Sequence, residues 1–186
     1  MKRIVALSAA LLLAFAVSVR PAEAGHTLPI TVVDRTAITL TYLPAGAGPP
    51  ATSTFAIGAS WRLDRTWDVL LGYGSTSGTG AGNAFRVGGR YHLRPPAPAY
   101  DVYLTAQYAS ETTGAATTTG FLLGAGVSQD LAPTLTGYSN FTYHSQQQTI
   151  MWDFGLQYQL SKAISLVGGV NSGAGYLGLS YNIGAR

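Results

Sequence analysis

Between Thr36 and Ile183, the apolar residues of this 186-residue chain recur at every second position rather than at helical spacing. A period of two places alternate side chains on opposite faces of an extended strand. In Thr54–Arg62, Phe55, Ile57, Ala59 and Trp61 share one face, against Ala56, Gly58 and Ser60. In Thr66–Gly74, Trp67, Val69, Leu71 and Tyr73 oppose Asp68, Leu70 and Gly72. In Ala84–Leu93, Phe85, Val87, Gly89, Tyr91 and Leu93 oppose Arg86, Gly88, Arg90 and His92. The same reading predicts strands over Thr36–Leu43, Tyr100–Tyr108, Gly120–Gln129, Thr134–Tyr143, Ile150–Leu160, Ala163–Val170 and Tyr176–Ile183, ten in all.

The connections alternate in character. Long, neutral, Gly/Thr-rich segments (Pro44–Ser53, Ser75–Asn83, Ser110–Thr119, His144–Thr149, Asn171–Gly175) occupy every odd position, with tighter ones between them. Strands joined in this order place all the long connections at one end and both termini with the short turns. The polar faces carry the few charges, and the apolar faces carry aromatics at both ends. Tyr42, Phe55, Tyr73, Phe85, Tyr108, Phe121 and Trp152 fall toward the long connections. Trp61, Trp67, Tyr91, Tyr100, Tyr158 and Tyr181 fall toward the short ones. Two aromatic rims flanking aliphatic residues are the pattern of strands crossing a bilayer. The predicted architecture is an all-β, antiparallel, up-and-down transmembrane barrel of ten strands. Eight is the alternative if the first or ninth stretch does not span. From Phe55 to Trp61 a strand tilted ~40° covers only about 15 Å of bilayer normal, against an apolar band of about 25 Å. The strands are therefore expected to run on into the flanking connections.

Composition excludes other classes. Charged residues make up 10% of the chain, and 23 glycines help fill the deficit. A soluble domain carries roughly a quarter charged residues. Low charge with 11 Tyr, 6 Phe and 3 Trp argues against disorder. There is no basic cluster to neutralise phosphates, so no nucleic-acid partner is expected. With no cysteine, no disulfide framework or zinc–thiolate site exists. One apolar run approaches helix length: Ala9–Val17, preceded by Lys2 and Arg3 and followed by Ala22-Glu23-Ala24. Small residues at Ala22 and Ala24 mark a signal-peptidase site. Residues 1–24 read as a cleaved export signal, and 25–186 as a single barrel domain.

The chain resembles the small outer-membrane β-barrel proteins of Gram-negative-type bacteria. The export signal, the alternating strands, the sorted connections and the last strand carry the likeness. In Tyr176-Leu177-Gly178-Leu179-Ser180-Tyr181-Asn182-Ile183, Gly178 is followed by Tyr181 and Ile183 as in that family's assembly signal, although Gly184-Ala185-Arg186 follow. The resemblance implies an outer-membrane location and insertion by the barrel-assembly machinery; outer-membrane lipid is the expected surrounding and a monomer the expected state. It implies no activity, because function resides in the site rather than the fold.

A hairpin symmetric about Thr79 sets Asp68 opposite Arg90 and Gly72 opposite Arg86. A lumen network of Asp68, Arg90, His92 and Asp101 is expected near the short-turn rim, with Arg86 and Asp153 nearby. Such charges either satisfy one another as structure or form a constriction for small solutes. Lumen positions such as Gly72, Gly88, Gly124, Gly126, Gly155 and Gly169 leave room for water in the pore reading. The primary expectation is a structural or weakly pore-forming barrel. A surface-interaction barrel acting through the neutral connections is the second reading. Those connections contain a single charge, Glu111. A lipid-modifying enzyme using His144 and Ser145 is a distant third: neighbours in a strand point apart, and no carboxylate lies nearby in sequence. His26, His92 and His144 lack metal-ligand spacing. No cofactor, catalytic residue or metal site is expected.

Overall fold

The computed structural model describes residues 36–44, 52–78, 81–93, 100–172 and 174–183. The expected signal peptide, with Ala22 and Ala24, lies outside them, as do His26 and the three residues after Ile183. Ten strands form: β1 (Ala37–Leu43), β2 (Thr52–Arg62), β3 (Trp67–Gly78), β4 (Gly82–His92), β5 (Tyr100–Thr113), β6 (Ala116–Ala132), β7 (Leu135–His144), β8 (Thr149–Gln159), β9 (Ile164–Asn171) and β10 (Ala174–Asn182). Each pairs antiparallel with its sequence neighbours, and β10 closes on β1. The first and ninth stretches are both full members of the barrel.

Closure follows from register. Across the seam Ala37 faces Asn182, Ile38 faces Tyr181 and Thr41 faces Gly178. The Thr39 hydroxyl donates to Ser180 Oγ at 3.1 Å. At Gly178 a Cβ would collide with the Leu40 carbonyl, so the residue allows the seam to close tightly. Following paired residues round all ten strands returns to β1 displaced by about twelve positions, a shear that tilts the strands by about 40°.

The faces sort as the alternation requires. In β1 the burial pattern alternates strictly, with Thr39 and Thr41 inside and Ile38, Leu40 and Tyr42 outside. Leu71 on β3 is 46% exposed on the outer surface, while Asp68 on the same strand is 1% exposed. A water-soluble barrel has the opposite sorting. Twelve of the thirteen rim aromatics expected from sequence project outward and exposed: Tyr42, Phe55, Trp61, Trp67, Tyr73, Phe85, Tyr91, Tyr100, Tyr108, Phe121, Tyr158 and Tyr181. Trp152 differs: it is half-buried against Phe154, with ring centroids 5.4 Å apart.

The strands do run into the connections, further than expected. The Ser110–Thr119 connection is mostly sheet: β5 continues to Thr113, β6 starts at Ala116, and only Gly114 and Ala115 turn. Gly114 takes a left-handed φ of 59°, which glycine adopts without the Cβ clash. Likewise β3 reaches Gly78 and β4 starts at Gly82. The sequence asymmetry therefore reflects a sheet that is taller at one end over β3–β6, where β6 runs beyond its first pair with β7 at Leu122–His144. The 11 residues of β2 cover about 28 Å of normal at this tilt, close to the apolar thickness of a bilayer. At the opposite rim, Asp64 caps the β2–β3 turn by accepting from the Thr66 and Trp67 amides at 2.6 and 2.9 Å.

Candidate functional site: the polar interior

The β3–β4 register sets Asp68 opposite Arg90 and Gly72 opposite Arg86. Asp68 Oδ2 accepts from Arg90 Nε at 2.9 Å and Nη2 at 2.7 Å. The same oxygen lies 2.8 Å from His92 Nε2, and the other ring nitrogen lies 2.6 Å from Asp101 Oδ2. Strand alternation places Arg90 and His92 on one face of β4, and the β4–β5 pairing of His92 with Tyr103 brings Asp101 alongside. The Arg90 guanidinium also lies 5.3 Å from the centroid of the Tyr103 ring. Tyr103 in turn donates to Asn140 of β7, carrying the network across the barrel. Asp68, Arg90 and His92 are all at most 2% exposed.

Two residues expected in this group belong elsewhere. Arg86 lies four positions from Arg90 along β4, roughly 13 Å of strand. It meets Glu111 of β5 instead, with 3.6 Å between Nη2 and Oε1. Asp153 lies on β8, away from the β3–β5 wall, and accepts from the Tyr176 hydroxyl at 2.7 Å. The Tyr176 and Tyr138 hydroxyls are 2.5 Å apart. Among the described residues, the expected charges thus gather in three places: around Asp68–Arg90–His92–Asp101, at Arg86–Glu111 and at Asp153–Tyr176.

Glu111 corrects a further expectation. It lies on β5, buried inside the barrel, and its Oε1 is 3.2 Å from His144 Nε2. A carboxylate thus does meet this imidazole, from 33 residues away in sequence. The arrangement is not that of an activated serine. Ser145 Oγ accepts from the Phe121 amide at 2.8 Å, and His144 Nδ1 accepts from the Gln147 amide at 3.4 Å. Both ring nitrogens are directed at groups other than the hydroxyl, whereas a nucleophile needs its base within hydrogen-bond reach. Among the described residues, no group of three or more His, Asp and Glu is arranged to hold a metal ion.

Several lumen glycines make room for side chains of neighbouring strands. A Cβ at Gly126 would strike the Tyr103 ring and Asn140, one at Gly155 the Tyr138 ring, and one at Gly169 the Tyr176 hydroxyl at 2.8 Å. Inward tyrosines lie across these positions. Gly155→Val is accordingly expected to destabilise the barrel by about 1–3 kcal/mol through overpacking. Gly89→Ala on the outer face, where a Cβ meets Trp67 at an ordinary 3.5 Å, should be near neutral. Heat-dependent gel mobility of the refolded variants measures both.

At the short-turn end, on the β6–β10 side, a cavity of about 380 Å³ remains, bordered by Thr136, Gln157, Gln159, Lys162, Ser165 and Asn182. Buried Tyr138 and Tyr176 lie further along the same wall. It is a polar vestibule opening at one rim.

No protein-family model and no curated protein matches the chain. Among solved structures, it is similar to the N-terminal β-barrel domain of Pseudomonas aeruginosa OprF (14% identity, 79% of this chain and 97% of that one, TM-score 0.43). It is also similar to the KdgM porin in complex with disordered oligogalacturonate (14%, 78% and 98%, TM-score 0.48) and to Neisserial surface protein A (15%, 80% and 94%, TM-score 0.31). These are outer-membrane β-barrel proteins.

Proposed function

We propose that this chain is an integral outer-membrane barrel with a structural role, monomeric, exported by a cleaved N-terminal signal and inserted by the barrel-assembly machinery. The observation that carries this reading is the inverted sorting of the barrel: apolar and aromatic side chains outside, ionised ones inside. Hydrocarbon rewards such an outer face, and a closed sheet is the only β structure that leaves no unpaired edge there. The interior favours a filled scaffold over an open pore. Arg86, Arg90, Asp68, Asp153, Tyr103, Tyr138 and Tyr176 are each buried to within a few per cent, and the three tyrosines lie across Gly126, Gly155 and Gly169. A conducting lumen keeps such groups wet.

Planar-bilayer recordings test this assignment. The wild type is expected to give no channel events above background. Removing two inward rings, Tyr138→Ala with Tyr176→Ala, should produce small but resolved conductance steps. Steady single-channel currents from the wild type would establish the pore instead.

A further inference from the structure

The placement of His92 between two carboxylates has a chemical consequence beyond packing. A neutral imidazole carries one N–H and one lone pair, so it donates to one carboxylate and presents its lone pair to the other. Here both ring nitrogens lie within hydrogen-bond distance of carboxylate oxygens, at 2.8 Å to Asp68 and 2.6 Å to Asp101. Two such contacts need a proton on each.

The neighbouring charges decide where the second proton resides. Asp68 Oδ2 already receives two N–H groups from Arg90, which favours the ionised carboxylate. Facing His92 are Asp68 from β3, Arg90 from its own strand β4, and Asp101 and Tyr103 from β5. The Tyr103 ring centroid lies 6.0 Å from that of the imidazole. With neutral His92 and both carboxylates ionised, this buried and part-buried set carries two negative charges against one positive. The second proton goes to the ring because a free imidazole (pKa ~6.5) is a stronger base than a free carboxylate (pKa ~4). An imidazolium brings the balance to zero, and buried charge is tolerated where it is paired.

We propose that His92 is held as an imidazolium whose bound proton latches β3, β4 and β5 together at the short-turn end of the barrel. Each bond spans two strands: Nε2 to β3 and Nδ1 to β5. Loss of the proton turns one of these bonds into a lone pair facing a carboxylate, beside an excess buried negative charge. The folded state then binds a proton that the unfolded chain gives up in alkaline solution. By linkage the barrel must lose stability as pH rises. The device is independent of whether the lumen conducts.

The test uses the full mature chain refolded in detergent micelles with ¹⁵N-labelled histidine. His92→Gln assigns the His92 ring signals by their disappearance and separates them from those of His144. The expected spectrum at pH 6 shows both His92 ring nitrogens protonated. The heat-unfolding midpoint, read by gel mobility, should fall by about 5 °C or more between pH 6 and pH 10 in the wild type. In His92→Gln, which keeps one donor and cannot titrate, that fall should be absent or much reduced. A single protonated nitrogen at pH 6 would overturn the proposal, whichever tautomer it reveals. A doubly protonated ring with the same pH dependence in wild type and variant would overturn the latch. Neither result bears on the closed-lumen reading, which the conductance experiment decides.

Discussion

Asp68→Ala is expected to be among the most damaging single substitutions in the barrel, costing about 3–5 kcal/mol. The alanine removes the shared acceptor of Arg90 and His92 and leaves a guanidinium inside the barrel without its carboxylate. Most of the loss is the desolvation of the stranded cation rather than the bond itself. Asp68→Asn should cost less, because the amide oxygen still accepts while the charge is gone. The pair Asp68→Asn with Arg90→Gln should cost less than the sum of its members, since the neutral side chains no longer leave a partner's charge unmatched. Urea unfolding in liposomes gives all of these values. Strict additivity would show that the two residues act separately, against the 2.7 Å contact between them.

Leu71→Arg is the second large effect and probes the opposite face. Leu71 lies mid-strand on β3, paired with Ala59 and Val87, and projects outward. A charge near the bilayer midplane of a barrel costs about 2–4 kcal/mol, falling to about 0–1 kcal/mol at the interface. Ser75→Arg, on the same face near the taller rim and paired with Phe55 and Asn83, is therefore expected to be nearly silent. The gradient between the two positions distinguishes hydrocarbon from water. If the outer surface faced solvent, both arginines would be tolerated alike.

The legible part of the fold was whatever a period of two could reveal. Phe55-Ala56-Ile57-Gly58 and its counterparts announce a face, and a turn symmetric about Thr79 fixes Asp68 against Arg90 without further information. The taller end was illegible for a physical reason. Ser110–Thr119 has no alternating apolar set, because both faces of the protruding β5–β6 ribbon are polar. What holds it is main-chain pairing and threonine contacts such as the 3.0 Å bond between the Thr112 and Thr117 hydroxyls. Reading that stretch as a loop misplaced Glu111 and so hid its meeting with His144. The contact depends on two successive registers, β5 with β6 and β6 with β7, and no local pattern reports it. The lumen glycines were misread in the same way. Gly126, Gly155 and Gly169 look like empty space along their own strands, and only the tyrosines arriving from β5, β7 and β10 show that they are filled.

The inverted sorting of this barrel requires its aromatic outer surface to stand in lipid. The three tryptophans test it without any substitution, because Trp61 and Trp67 project outward at the short-turn rim and half-buried Trp152, alternating with buried Met151 and Asp153, shares the outer face toward the other rim. The protein should be refolded into vesicles whose lipids carry bromine at a chosen depth along the acyl chain, and its tryptophan emission recorded. Strong quenching is expected, greatest when bromine lies near the headgroup and weaker as it moves toward the bilayer centre. Emission indifferent to brominated lipid yet readily quenched by iodide in the water would contradict it.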